Sequence, residues 1–504
     1  MGLFVTNAGS RRSKTSFRRG FAARMAAAAV TALLLAACAS MEPQDSTPFN
    51  AAAPVPPPRP PAVDEKTSAE HRRMIALFDG EYKYPPAEAY LNEILVKLAN
   101  ADESGAEPYK VTILNSPIVN AFAVPPGNVY VTRGLLALAN DASEVAAVLA
   151  HEIAHITAKH AMQREEEEKR AAVISQAASV IQSKRKSQEV EAVAQRTIAS
   201  FSRQQELEAD QIGIRVAAKA GFDPYGAARF LNALGRSAAL RGSLMSQYAS
   251  ARTPDILATH PSTPDRVAQA VNAARQIGAP GIGKADRAPY LAAIDGMTFG
   301  DDPAEGAIRG RKFLHGRLGF AFLAPEGFVL ENASQALLGA KAGGAEALRV
   351  DSVSVPQATP LTAYIASGWI DGLNESSIAT SEVNGMPAAT ATASAGEWRF
   401  LLTVIHFEPG RVYRLIFATR TLTDEAKTRF RASIDSFHRV SADEVKAVRP
   451  LRLAITVAKP GDTIDALAAR MAVPDRALDY FLLINGLARG EPLQGGERYK
   501  IVVE

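Results

Sequence analysis

The chain has 504 residues and a mass of 53.6 kDa, too much for a single hydrophobic core and enough for about three folded units. Hydrophobic residues at 47% and charged residues at 22% place it near the globular average, which excludes wholesale disorder and a polytopic membrane protein. The formal charge of +3 is concentrated at one end: residues 1–37 hold Arg11, Arg12, Lys14, Arg18, Arg19 and Arg24 and no acid. Without these six, 50 basic residues face 53 acidic ones, so there is no basic excess of the kind a nucleic-acid partner requires.

The basic stretch runs into an apolar segment, residues 25–37. That is the order of an export signal, and the segment is too short to span a bilayer. It ends in Leu35-Ala36-Ala37-Cys38, with the only cysteine of the chain, and this resembles the lipobox of bacterial lipoproteins. The resemblance implies that Cys38 is the acylated first residue of a mature protein without disulfides. Ala39 and Ser40, rather than an aspartate, follow it, which in Gram-negative lipoproteins implies outer-membrane sorting. Arg18-Arg19-Gly20-Phe21 loosely resembles a twin-arginine signal, leaving that route open beside ordinary Sec export. Between residues 41 and 63 fall eight of the 30 prolines. Helix and sheet are excluded there, and residues 38–63 are expected to form an extended tether.

Residues 64–279 read as an α+β, mainly helical domain with short strands at 109–115 and 120–131, the latter turning at Pro125-Pro126-Gly127. Residues 280–312, rich in Gly, Ala and Asp, read as a linker. An α+β sandwich is expected over 313–445, with strands at 320–324, 347–355 and 381–393 and a hairpin 399–407/412–419. Helices at 361–373 and 424–437 would cover one of its faces. This region weakly resembles the PsbP-type fold and carries no cluster of catalytic residue types. Residues 450–504 read strand, helix, second helix opened by Pro474, strand. With the phrases GDT, LLINGL and LQGGERYKI they resemble a LysM domain, a small βααβ module. Such modules commonly bind peptidoglycan-like glycans, so two readings stand: glycan binding or a purely structural cap.

The chemistry concentrates in His151-Glu152-Ile153-Ala154-His155. Asp141 as N-cap with Glu144 at the third helical position makes a capping box that marks a helix start, and Val145, Val148 and Leu149 supply its buried stripe. At about 100° per residue the two histidines lie roughly 40° apart on one face and can reach one metal ion, with Glu152 beside them toward a water. A structural zinc site would need a fourth protein ligand; a catalytic one leaves that position to water. Downstream, Glu206-Leu207-Glu208-Ala209-Asp210 places two carboxylates at i and i+4. Glu206 can ligate the metal while Asp210 holds a ligand imidazole through its other nitrogen. His160, nine residues after His151, would fall on the opposite side of a continuous helix, away from the metal, in a surface or packing role.

From about residue 69 to 274, through Asn120-Ala121-Phe122-Ala123, the HExxH helix, Glu206 to Asp210 and His260-Pro261, the sequence resembles the gluzincin metallopeptidases of the CAAX prenyl endopeptidase and HtpX-like family. With no apolar span besides the export signal, it resembles their soluble periplasmic branch, which includes the β-barrel assembly-enhancing proteases, and not the membrane-embedded prenyl proteases. The resemblance implies one Zn2+ per chain on His151, His155 and Glu206, with Glu152 as general base and Asp210 behind a ligand. It also implies that the strand Asn120, Ala121, Phe122, Ala123 pairs with an extended substrate. For His260 three roles stay open: a switch occupying the open position on zinc, a transition-state stabiliser, or a capping-loop histidine before the helix capped by Thr263 and Pro264. The expected whole is a periplasmic outer-membrane lipoprotein that hydrolyses unfolded or misassembled envelope proteins. It would be anchored through Cys38 and held to peptidoglycan by its last module. The alternative is a non-proteolytic, peptidoglycan-tethered chaperone or assembly adaptor with a latched zinc site.

Overall fold

The computed structural model describes residues 65–504 except 104–108, 126, 180–183, 245–259, 261–262, 334–335, 342 and 474–475. The expected export signal at 1–37, Cys38, the expected tether at 38–63, Pro126, Pro261 and Pro474, expected to open a helix, lie outside the described residues. No helix among the described residues is long and apolar enough to cross a membrane.

The first part combines helices α1 (Glu65–Leu77) and α2 (Pro85–Ala101) with strands β1 (Lys110–Leu114), β2 (Ala121–Val124) and β3 (Asn128–Thr132). Helices α3 (Arg133–Leu138), α4 (Ala142–Thr157), α5 (His160–Ser179), α6 (Lys184–Lys219), α7 (Gly226–Leu244) and α8 (Pro264–Ile277) follow. The three strands form one sheet in the order β1-β3-β2, β1 parallel and β2 antiparallel to β3, so β2 is an edge. Helix α4 starts where Asp141 Oδ1 accepts the Glu144 N–H at 3.0 Å. Glu144 does not close a capping box on the N-cap, because its Oε2 accepts the N–H of Asn140, one residue further out, at 2.8 Å. Val145, Leu149 and Ile153 on α4 are buried, each contributing about 1.5–3 kcal/mol relative to exposure.

Two expectations about domain borders are corrected. The stretch 280–312 is not a featureless linker. It contains helix α9 (Arg287–Ile294), whose Tyr290 and Leu291 are fully buried, and the carbonyls of Thr298 and Gly300 accept from buried Arg133 at 2.9 Å. The C-terminal βααβ unit does have the expected order: β15 (Arg452–Val457), α13 (Ile464–Ala468), α14 (Ala477–Ile484) and β16 (Arg498–Val503). It is not a separate body, however. Phe481, Leu482, Ile501 and Val502 share one apolar core with Leu95, Leu149 and Tyr290. Lys500, fully buried, donates to the carbonyls of Ala137 and Ala139 at the C-terminal end of α3, at 2.8 and 2.6 Å.

The intervening region opens with β4 (Ala307–Arg309), β5 (Lys312–His315), β6 (Phe320–Leu323), β7 (Phe328–Ala333), β8 (Ala336–Lys341) and β9 (Glu346–Ser354), followed by α10 (Leu361–Ile365). Strands β10 (Leu373–Val383), β11 (Met386–Ala395), β12 (Trp398–Glu408) and β13 (Arg411–Thr419), helix α11 (Asp424–Asp435), β14 (His438–Arg439) and α12 (Ala442–Ala447) complete it. A seven-stranded sheet, β10-β11-β12-β13-β9-β8-β7, packs beside a four-stranded sheet, β14-β6-β5-β4. The single strand expected at 381–393 is a hairpin. Asn384 and Gly385 both take positive φ, 47° and 78°, the paired left-handed conformation that two-residue hairpin turns favour. The helix expected at 361–373 stops at Ile365, because Leu373 already begins β10. The two helices do not cover one face. α11 packs through Phe430 on the side of Leu401, Ile405 and Phe417, whereas α10 packs through Ile365 on the side of Ala389, Leu402 and Val404. Strand β12 is buried on both sides, and helices are needed on both.

Candidate metal centre

Helices α4 and α6 build the site. On α4, His151 and His155 stand one turn apart with ring centroids 4.7 Å apart and planes at 71°. On α6, Glu206 and Asp210 stand one turn apart, followed by Gly213. A Cβ at Gly213 would lie 2.9 Å from the His151 nitrogen and 3.1 Å from its Cα, so only glycine lets the two backbones meet at the height of the ligands.

The donor atoms converge. His151 Nε2 is 3.1 Å from His155 Nε2, and Glu206 oxygens lie 3.5 and 3.4 Å from those two nitrogens. Ligands held tetrahedrally at about 2.0–2.1 Å from an ion are about 3.3 Å apart, so the three spacings suit one tetrahedral centre. His260 completes the group: its Nδ1 is 2.8 Å from Glu206 Oε2 and 3.3 Å from His151 Nε2, and the ligand atoms of all four residues lie within 4.8 Å of one another. Glu206 Oε1 and Glu152 Oε1 are buried without a hydrogen-bond partner among the described residues. Buried carboxylate oxygens in that condition are costly, and a cation between the imidazoles would satisfy Glu206. The donor set of imidazoles and carboxylate, with no thiolate, suits zinc.

Behind the ligands, His151 Nδ1 is 2.9 Å from Asp210 Oδ1. Asp210 is in turn clamped by Arg266 of α8, from Nε at 2.8 Å and Nη2 at 2.7 Å. Arg266 Nη1 also lies 3.1 Å from Glu206 Oε2, so one buried guanidinium serves both acids. Burial disfavours charge at every group here, and the neighbours decide the outcome. For His151 the Asp210 and Glu206 carboxylates outweigh burial and raise its pKa to about 10. His155 is pushed down to about 2 by burial and the neighbouring histidines. Against burial, Glu206 stays well below the usual carboxylate range through His151 and His260, and Asp210 is lowered through Arg266 and His151. The Glu152 carboxyl is pushed up, chiefly by burial.

The structure thus brings together His151, Glu152, His155, Glu206, Asp210 and His260. It does not bring the strand residues Asn120 to Ala123 to the cavity beside the ligands, which is lined by Ala147, Val148, Ala227, Phe230, Leu231 and Leu234 in addition to site residues. Ala121 is buried in the main core, Ala123 packs against it, and Phe122 stacks on Tyr130 at 4.9 Å; β2 is partly exposed and lies against α4. Two residues escaped the sequence reading. Arg266 had a detectable signal in its place in the first turn after Thr263-Pro264. His160 was misplaced: α4 ends at Thr157, Lys159 turns with φ of 57°, and His160 returns buried with Nδ1 2.9 Å from His155 Nδ1. The continuous-helix geometry therefore did not apply.

Residues 85–274 match the model of peptidase family M48. The β-barrel assembly-enhancing protease of Escherichia coli K12 is 32% identical over 203 residues, 38% of this chain and 40% of that protein. The mitochondrial metalloendopeptidase OMA1 of Arabidopsis thaliana is 33% identical over 154 residues, 31% of this chain and 29% of that protein. The chain thus matches well under two thirds of the length of these relatives. The solution structure of cyanobacterial PsbP from Synechocystis sp. PCC 6803 aligns over 27% of this chain and 98% of its own, at 16% identity and a TM-score of 0.20, too low to establish a shared fold. The match to peptidase family M48 covers the helices that carry His151, His155, Glu206, Asp210 and Arg266, and it is to this family that residues 85–274 are similar.

Proposed function

We propose that the protein is a zinc metalloendopeptidase of the bacterial envelope that cleaves unfolded or misassembled envelope proteins. The observation that supports this most is the convergence of His151, His155 and Glu206 at tetrahedral spacing with buried Glu152 beside them. When bound, zinc would supply polarisation of a scissile carbonyl and a water of lowered pKa. Glu152 takes the proton of the attacking water and gives it to the leaving nitrogen. Burial, which raises its affinity for a proton, suits a group that must hold one between two transfers. Asp210 orients the His151 ring, and Arg266 keeps Asp210 ionised and holds Glu206 in place. A periplasmic location, the acyl anchor at Cys38 with outer-membrane sorting, and glycan binding by residues 450–504 belong to the same proposal and rest on the sequence resemblances.

His260 favours a regulated form of this reading. Its Nδ1, 2.8 Å from Glu206 and 3.3 Å from His151, occupies the side of the cluster that a catalytic centre leaves to water. The alternative of a non-proteolytic adaptor shares that latch. Casein cleavage discriminates. Glu152→Gln is expected to retain metal and lose at least about 100-fold in rate, the lower end for a removed acid–base group. His260→Ala is expected to cleave faster than the parent. Unchanged cleavage by the Glu152 variant refutes the assignment; an inert parent and an inert His260 variant support the adaptor.

A further inference from the structure

The two imidazoles of the cluster are held from behind by different chemistry. A metal-bound histidine keeps its proton on the nitrogen that does not face the metal, and that N–H needs an acceptor to fix the ring. Behind His151 stands the Asp210 carboxylate, 2.9 Å from its Nδ1 and fixed by Arg266. On the Nδ1 side of His155 no carboxylate is in hydrogen-bond reach among the described residues; the ring of His160 is there instead, Nδ1 to Nδ1 at 2.9 Å, with the planes at 76°. We propose that His160 is the positioning residue of His155, accepting the His155 Nδ1 proton and thereby keeping its Nε2 aimed at the metal.

The direction of the bond follows from chemistry. Because His155 Nε2 points at His151 Nε2 and Glu206, its proton sits on Nδ1, so His160 Nδ1 accepts. The remaining His160 proton is then on Nε2, 3.5 Å from Glu208 Oε2. The Glu208 carboxylate there is half-exposed and too distant to hold the ring by a hydrogen bond. His151 is backed instead by a buried carboxylate and guanidinium. His160 is built for one position. The left-handed turn at Lys159 brings it back toward α4, the Gln205 side-chain amide on α6 donates to its carbonyl at 3.0 Å, and its ring is 1% exposed. Gln205 precedes ligand Glu206, so the same turn of α6 carries one ligand and fixes the support of another.

The inference rests on the zinc site proposed above, and the test separates the two. Zinc is stripped from the purified full chain and its dissociation constant is measured by competition with a fluorescent chelator at neutral pH. The parent is compared with His160→Asn, whose Oδ1 takes the place of Nδ1, and with His160→Leu, nearly the same shape without an acceptor. The melting temperature of each metal-free form is recorded. The Leu variant is expected to bind zinc about 10–100-fold more weakly, and the Asn variant within a few-fold of the parent, with similar melting temperatures. Equal affinity for Leu and parent, or equal weakening in Asn and Leu, overturns the role of His160. A parent that binds no zinc overturns the metal site itself. Should the variants fail to fold, ring nitrogen spectra of the zinc-loaded parent still decide. A proton on His160 Nε2 supports the assignment, and one on its Nδ1 refutes it.

Discussion

Gly213→Ala sets two physical effects against each other. Alanine in a helix interior is favoured over glycine by about 1 kcal/mol, so propensity alone predicts a more stable protein. The added Cβ, however, would sit 2.9 Å from the His151 nitrogen and 3.1 Å from its Cα, whereas such atoms settle near 3.5–4.0 Å. Both opposing atoms are backbone, so no flexible side-chain end can yield, and α4 and α6 must separate by roughly 0.5 Å; overpacking of this kind costs about 1–3 kcal/mol. The net effect on the metal-free fold is therefore small, on the order of 0–2 kcal/mol of destabilisation. The ligands feel it more. His151 is on one helix and Glu206 on the other, and a metal centre tolerates misplacement of only about 0.5 Å, so zinc affinity is expected to fall by about tenfold or more. Thermal melting of the metal-free protein and competition for zinc measure the two effects. A variant that melts higher than the parent and binds zinc equally well would refute the close-approach argument.

Lys500→Met removes the donor to Ala137 and Ala139 and leaves two buried carbonyls unpaired, at about 1–3 kcal/mol each; the whole chain is expected to melt lower in one transition, whereas a separate low-temperature transition would argue that the last module folds alone. Buried His315 is held down to about 4, chiefly by burial, against an ordinary value of 6.5. It stays neutral in the fold, so its contribution is complete above pH 6.5 and is lost as pH falls through 4, an acid destabilisation of about 3 kcal/mol. His315→Asn, which keeps an acceptor for the Leu318 N–H and does not titrate, is expected to flatten the urea midpoint between pH 7 and 4. An unchanged acid slope contradicts this.

The parts of the site that could be read from sequence are those whose determinants are local. α4 announces itself through Asp141, an apolar stripe and two histidines one turn apart, and α6 through Glu206 and Asp210. The hairpin β10–β11 was legible in principle, since Asn384-Gly385 is a strong two-residue turn signal; the small alternating residues on either side read as one strand because none of them marks a reversal. α9 is short, eight residues with a proline at its third position, and only tertiary burial of Tyr290 identifies it. The Lys500 contacts could not be read at all, because their acceptors lie over 360 positions earlier in the chain. His160 depended on a helix break at Lys159, where neither glycine nor proline signals the left-handed residue.

The central claim is tested most directly by the metal content of the purified chain and of Glu206→Gln, prepared side by side and analysed by elemental mass spectrometry. The parent is expected to carry close to one zinc per chain, and the variant to lose most of it, together with casein cleavage. Retention of zinc by the variant, or a parent without metal that still cleaves casein in the presence of a chelator, would contradict it.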